Sequence, residues 1–233
     1  MLNARSEVPA ESTVRLATRS GAAADPTVDG RAVRDYLERA RRIVTRHAAY
    51  LTRLDAVLGD GDHGDNLVIG FRAVDAMLAE MPADTRPGDL LQAVGHRLVA
   101  AVGGASGPLY GTAFIEAGFR AGDAERLDAG TLSDMLAAGA DGLGRRGRCA
   151  VGDKTILDAL RPAADAFARA VSDGGGLGDA VAATEIAARD GMRSTRDLVA
   201  RRGLALRLGA RSVGHLDPGA VSCFLLLRAL AVP

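Results

Sequence analysis

The segment Leu54-Asp55-Ala56-Val57-Leu58-Gly59-Asp60-Gly61-Asp62-His63-Gly64-Asp65-Asn66 sets four aspartates within eleven positions. Carboxylates this close repel one another unless a cation lies among them. Hard oxygen donors suit magnesium or calcium. The EF-hand pattern fails here: counted from Asp60, its glycine position holds Asp65 and its final glutamate position holds Phe71. Magnesium fits better, because it takes a few carboxylates and completes its shell with water and phosphate oxygens. The same residues also read as a solvated turn ending in an aspartate N-cap.

Two further loops have chemical possibilities. Val102-Gly103-Gly104-Ala105-Ser106-Gly107-Pro108 is glycine-rich and precedes a helix, where free amides and the positive end of the helix dipole suit phosphate. It equally reads as an ordinary helix–helix turn. Gly152-Asp153-Lys154-Thr155 opens another helix and holds the only lysine of the chain. Capping by Asp153 accounts for it equally well. It is not a P-loop, since the glycines that pattern requires before the lysine are absent. Gly142-x-Gly144-x-x-Gly147 matches the dinucleotide fingerprint in letters only, because it follows a helix and no βαβ pattern surrounds it. His63 and His215 lie in loops and His47 and His96 in helices; no serine elbow or Cys–His pair accompanies them.

The elements that must carry these loops are helical. Aromatic residues make up 3% of the chain, tryptophan is absent and β-branched alternation is scarce, all of which disfavour strands. Val33, Tyr36, Leu37, Ala40, Ile43, Val44, His47, Leu51 and Leu54 recur at helical spacing after Asp29, a suitable N-cap. Further helices are expected over Leu67–Glu80, Leu90–Val102, Ser106 to about Ala121, from Thr131 or Ser133 to about Leu143, through Ile156–Val171, from about Asp179 to Arg202, and after Asp217-Pro218. Eight helices with short connections imply an all-α antiparallel bundle or barrel. Residues 1–28 carry no sustained period and are expected to form a flexible extension. Residues 29–233 form the expected domain.

Lys and Arg number 29 and Asp and Glu number 29 in 233 residues, so the formal charge is zero. That balance argues against a nucleic-acid binder, which needs a basic surface, and against polybasic membrane docking. The longest apolar run, Ala220–Leu227, is too short to span a bilayer. Cys149 and Cys223 form no metal-binding pair, and reduced thiols in a cytoplasmic protein are expected.

Taken together, four segments in order resemble one family. They are Asp55-x4-Asp60-x-Asp62-His63-Gly64-x-Asn66, Gly103-Gly104-Ala105-Ser106-Gly107-Pro108-Leu109, Gly152-Asp153-Lys154-Thr155 and Gly214-His215-x-Asp217-Pro218-Gly219-Ala220. The chain is similar over nearly all of residues 30–230 to DhaL, the nucleotide-binding L subunits of dihydroxyacetone kinases. The resemblance implies an eight-helix antiparallel barrel with a nucleotide, ADP or ATP, at one end. It assigns Asp55, Asp60 and Asp62 to magnesium, two ions, which hold the nucleotide phosphates. It assigns His63, Asn66, Ala105, Ser106, Gly147, Ile156, Asp217, Pro218 and Gly219 to the nucleotide. It implies a kinase subunit that phosphorylates dihydroxyacetone held on a separate K subunit. In one branch a phosphohistidine subunit of the sugar phosphotransferase system recharges bound ADP, and in the other ATP exchanges freely. Leu204 departs from the pattern, since the family carries a nucleotide-contacting arginine there; Arg202 and Arg207 are the neighbouring substitutes. Asp65 adds a carboxylate beside the phosphate site. The rival readings are the same fold acting on a tetrulose or a fatty acid, and a nucleotide-sensing regulatory subunit that transfers nothing.

Overall fold

Helical order begins directly after Asp29. In the computed structural model, which describes residues 26–231, the Asp29 carboxylate accepts the Ala32 amide at 2.9 Å and caps α1 (Gly30–Leu58). Residues 1–25 of the anticipated extension lie outside the described residues. The stripe read from the sequence is the face α1 buries, through Val33, Leu37, Ala40, Val44 and Leu51.

Seven more helices follow: α2 (His63–Glu80), α3 (Pro87–Ala101), α4 (Ser106–Ala121), α5 (Ala129–Gly147), α6 (Leu157–Ser172), α7 (Leu177–Ser194) and α8 (Pro218–Arg228). Each packs against the next, and α8 packs back onto α1, closing an antiparallel barrel. α8 is buried on every side from Pro218 to Leu227, as an all-round apolar helix must be. Asp217 caps it by accepting the Ala220 amide at 2.7 Å, with proline in the first turn. α3 and α4 cross with their backbones in contact. A Cβ on Gly95 would meet the Gly111 oxygen at 2.5 Å, and one on Gly111 the Gly95 oxygen at 2.7 Å. No helix among the described residues is long and apolar enough to cross a membrane.

Several boundaries depart from the sequence reading. α2 begins at His63 rather than Leu67, because a distant carboxylate, Asp55, supports its first amides. α3 begins at Pro87, whose fixed φ suits a first helical turn. α5 is capped by Asp128, which accepts the Thr131 amide at 2.7 Å, rather than by Thr131 or Ser133, and it runs on to Gly147. The seventh helix stops at Ser194 instead of Arg202. Beyond it a 3-10 turn spans Thr195–Asp197, and the main-chain oxygen of Thr195 accepts from the Lys154 ammonium. A second 3-10 segment, Leu204–Ser212, is kinked at Gly209. The short strands β1 (Val28–Asp29) and β2 (Arg126–Leu127) pair antiparallel. At two residues each they are too short for alternation to reveal.

Candidate functional site

Asp55 lies on the last turn of α1 and is buried. Its Oδ2 accepts the amides of Gly61 (3.0 Å), Asp62 (3.1 Å) and His63 (3.3 Å). The loop therefore wraps around one carboxylate oxygen, which also supplies an acceptor at the N-terminus of α2. Gly61 makes the wrap possible with φ +78, a left-handed conformation that glycine adopts without penalty. The side chains of Asp55, Asp60 and Asp62 offer oxygens that all lie within 4.8 Å of one another. Local loss of hydration first, then the like charges of Asp60 and Asp55, hold the Asp62 carboxyl above the usual carboxylate range, against the opposing effect of the Asn66 side chain. A divalent cation would remove that repulsion, so the donor set fits magnesium. Asp65, in the first turn of α2, is exposed and adds favourable charge at that helix end.

Opposite the aspartates stands the start of α4. Ala105 and Ser106 occupy its first positions with no side-chain cap, so the amides there are free for an anion. One cavity of about 560 Å³ joins these features. It is lined by Asp55, Asp60, Asp62, His63, Ala105, Ser106, Gly147, Ile156, Asp217, Pro218 and Gly219. Every residue expected at the site is there except Asn66. That side chain is not part of the lining; it stands beside Gly103, where a Cβ would come within 3.3 Å of its amide oxygen. Leu109, Leu143 and Ala205 add apolar wall, a composition suited to a base or ring.

Two cationic groups line the cavity, Arg146 and Arg202. Arg202 Nε lies 3.4 Å from the Asp153 carboxylate, and Leu204 lies on the same wall. Arg207 is exposed and does not line it. Of the two neighbours of Leu204 that could replace an arginine, only Arg202 has the position.

The loop before α6 is organised differently from the capping expected. Asp158, itself buried, accepts the amides of Gly152 and Thr155, each at 2.6 Å. Asp153 instead accepts the Ala150 amide at 3.0 Å. Asp158 takes the role because it lies in the first turn of α6, facing back over the loop. Lys154 does not reach the cavity. It is buried and donates to the main-chain oxygens of Thr195 and His215. Burial lowers its pKa, opposed by the charges of Asp217, Asp158 and Asp197.

His63 is buried between two hydroxyls: Nδ1 lies 3.0 Å from Ser106 Oγ and Nε2 2.8 Å from Ser222 Oγ. Ser222 Oγ lies 2.6 Å from the Tyr110 hydroxyl. Burial lowers the His63 pKa despite the charges of Asp55 and Asp60. Burial also pushes the Asp217 carboxyl up to about 7, while the Ala220 amide and Lys154 act in the opposite direction. The sequence reading passed over Ser222, Tyr110, Asp158 and Arg146. Ser222 did leave a signal, as the one hydroxyl in the apolar run 220–227.

The model of the DAK2 domain matches residues 57–232. Among relatives, the ADP-binding subunit DhaL of PEP-dependent dihydroxyacetone kinase 2 from Listeria innocua is 38% identical over 189 residues, covering 81% of this chain and 87% of that protein. The ADP-binding subunit DhaL of the PEP-dependent dihydroxyacetone kinase of Escherichia coli K12 is 37% identical over 198 residues, covering 85% and 94%. Among solved structures, the dihydroxyacetone kinase of C. freundii in complex with AMP-PNP and Mg2+ superposes with a TM-score of 0.65 at 25% identity. That match covers 96% of this chain and 38% of the C. freundii chain.

Proposed function

Because this chain belongs to the DAK2-domain family, with DhaL subunits among its close relatives, we propose that it is the ADP- or ATP-binding L subunit of a dihydroxyacetone kinase. Residues 29–233 act in this reading as one nucleotide-binding unit. The observation that carries the proposal is the carboxylate group Asp55, Asp60 and Asp62 sharing one cavity with the free amides of Ala105 and Ser106.

Asp55 through Oδ1, with Asp60 and Asp62, would hold magnesium, two ions in this reading. Oδ2 of Asp55 meanwhile keeps the loop closed on its three amides. The amides of Ala105 and Ser106 receive phosphate oxygens, and Arg202 and Arg146 balance the remaining charge. Leu109, Leu143, Ile156 and Pro218 enclose the base. The bound magnesium and nucleotide supply the transferable phosphoryl group and the charge that compensates it. The chain itself contributes position and electrostatics and forms no covalent bond to the phosphoryl group.

The acceptor belongs to a partner. His63, the one histidine lining this cavity among the described residues, is occupied on both ring nitrogens and is not free to bind a ketone. We therefore assign dihydroxyacetone to a separate K-type subunit. The dependence of those related kinases on PEP favours a phosphohistidine-bearing phosphotransferase-system subunit as the source of phosphoryl groups, recharging ADP in place. An acceptor free in solution forfeits proximity worth ~7–11 kcal/mol of barrier. The purified chain should thus bind magnesium and ADP yet leave dihydroxyacetone unphosphorylated. A coupled assay should detect turnover when a K-type subunit and either ATP or the phosphohistidine donor are added. Robust turnover by the chain alone would overturn the proposal.

A further inference from the structure

Behind the phosphate-facing end of the cavity, four side chains form a continuous polar line through an otherwise apolar core. Tyr110 (α4), Ser222 (α8) and His63 (α2) are all at least nine-tenths buried. The separations are 2.6 Å from the Tyr110 hydroxyl to Ser222 Oγ, 2.8 Å from Ser222 Oγ to His63 Nε2, and 3.0 Å from His63 Nδ1 to Ser106 Oγ. Of the four, His63 and Ser106 line the cavity, while Tyr110 and Ser222 do not. Nothing in the proposed binding of nucleotide requires Tyr110 or Ser222, yet burying three polar side chains in a row is costly unless each is satisfied.

We propose that Ser222, backed by Tyr110, is a positioning residue that fixes the direction of the His63 hydrogen bonds, so that the Ser106 hydroxyl donates into the cavity. The inference rests on the reading that the cavity holds a nucleotide phosphate. A phosphate oxygen there accepts and does not donate, so Ser106 must point its proton outward. Ser106 Oγ is then left to accept from His63, which puts a proton on Nδ1. A ring with its proton on Nδ1 presents a lone pair at Nε2, and Ser222 is the only hydroxyl bonded there. Ser222 then donates to Nε2 and accepts from Tyr110. Every donor along the line faces the same way, from Tyr110 to the ligand.

The opposite arrangement satisfies the protein equally well without ligand. There Nε2–H donates to Ser222, Ser222 donates to the Gly219 oxygen at 2.9 Å, and Ser106 turns its proton inward to Nδ1. In that state the cavity meets only the lone pairs of Ser106, which repel an anion. Ser222 can serve both arrangements because its hydroxyl has two acceptors in reach, His63 Nε2 and the Gly219 oxygen. Direct contact with the ligand explains a role for Ser106, and only this coupling explains one for Ser222.

The test uses the full chain with Mg-ADP. Binding is measured by calorimetry for wild type, Ser106→Ala, Ser222→Ala, Tyr110→Phe and the Ser106→Ala/Ser222→Ala pair, with the fold checked by circular dichroism. Imidazole nitrogen NMR shifts report which nitrogen of His63 carries the proton. Ser222→Ala should weaken Mg-ADP on the order of tenfold, as losing a hydrogen bond to a charged group does. The double variant should be no weaker than Ser106→Ala, because both remove the same donor. Tyr110→Phe should give a smaller loss in the same direction. In the wild-type complex the proton should sit on Nδ1. Unchanged affinity in folded Ser222→Ala and Tyr110→Phe, additive losses in the double variant, or a proton on Nε2 in the complex would each overturn the inference while leaving the nucleotide reading intact. A wild-type chain that binds no Mg-ADP would overturn both.

Discussion

Lys154 Nζ donates to the main-chain oxygen of His215, a residue 61 positions further along the chain. The same ammonium donates to the oxygen of Thr195, and the Thr195 hydroxyl in turn accepts the Asp217 amide at 3.0 Å. The only lysine in the chain thus acts as a pin that aligns the segment carrying Asp217, Pro218 and Gly219 with the loop before α6. Lys154→Met should leave two main-chain carbonyls, one buried and one part-buried, without their donor and cost on the order of 3 kcal/mol. Urea unfolding should show a lower midpoint with little change in slope. Mg-ADP affinity should fall as well, although Lys154 does not touch the cavity.

The aspartates should separate by role. Asp60 and Asp62 are exposed and carry no loop amide, so Asp60→Asn and Asp62→Asn should not lower the metal-free melting temperature. Both should reduce magnesium-dependent ADP binding by at least ~10–100-fold, the loss already seen when only a supporting partner of a ligand is removed. Asp55→Ala should lower both the metal-free melting temperature and magnesium-dependent ADP binding, since three amides lose their acceptor. Calorimetric titration with and without magnesium, beside thermal melts of the metal-free variants, checks all three.

Arg202 should carry the charge that Leu204 does not. Arg202→Ala should weaken ADP binding by about 1.5–3 kcal/mol, the range for a charged hydrogen bond, and Arg207→Ala should leave it unchanged. Leu204→Arg should add little to the wild type but should restore binding in the Arg202→Ala background. A full gain from Leu204→Arg in the wild type would show that Arg202 does not reach the phosphates.

Asp217 gives a pH dependence of defined sign. Its folded pKa is about 7, raised by burial from 3.8, so the folded state holds this proton more tightly than the unfolded chain. The stability it contributes is fully present below about pH 3.8 and is lost as pH rises through about 7. Asp217→Asn keeps an N-cap acceptor for the Ala220 amide and removes the titration. Between pH 4 and 8 the difference in stability between variant and wild type should therefore move in favour of the variant as pH rises. Unfolding free energies of the metal-free proteins across that range measure it.

Much of this site was legible because local rules fix its pieces. Asp29 and Asp217 stand as N-caps before apolar periodic runs, and both accept the amide three residues on. Asp55, Asp60 and Asp62 are close in sequence, so a short turn brings their carboxylates together whatever the rest of the chain does. The glycine-rich turn at Gly103–Gly107 leads into α4 for the same local reason.

What the sequence could not decide is which distant group meets which. Asp158 rather than Asp153 holds the loop before α6, Arg202 rather than Arg207 reaches the cavity, and Asn66 stands beside Gly103 without lining it. Ser222 and Tyr110 come into line with His63 only because α8 closes against the barrel. Caps, turns and helical stripes depend on neighbours three or four residues away, and their geometry follows from residue type and spacing. Hydrogen bonds spanning 61, 112 and 159 positions depend on how eight helices pack, and only the closed barrel fixes those distances.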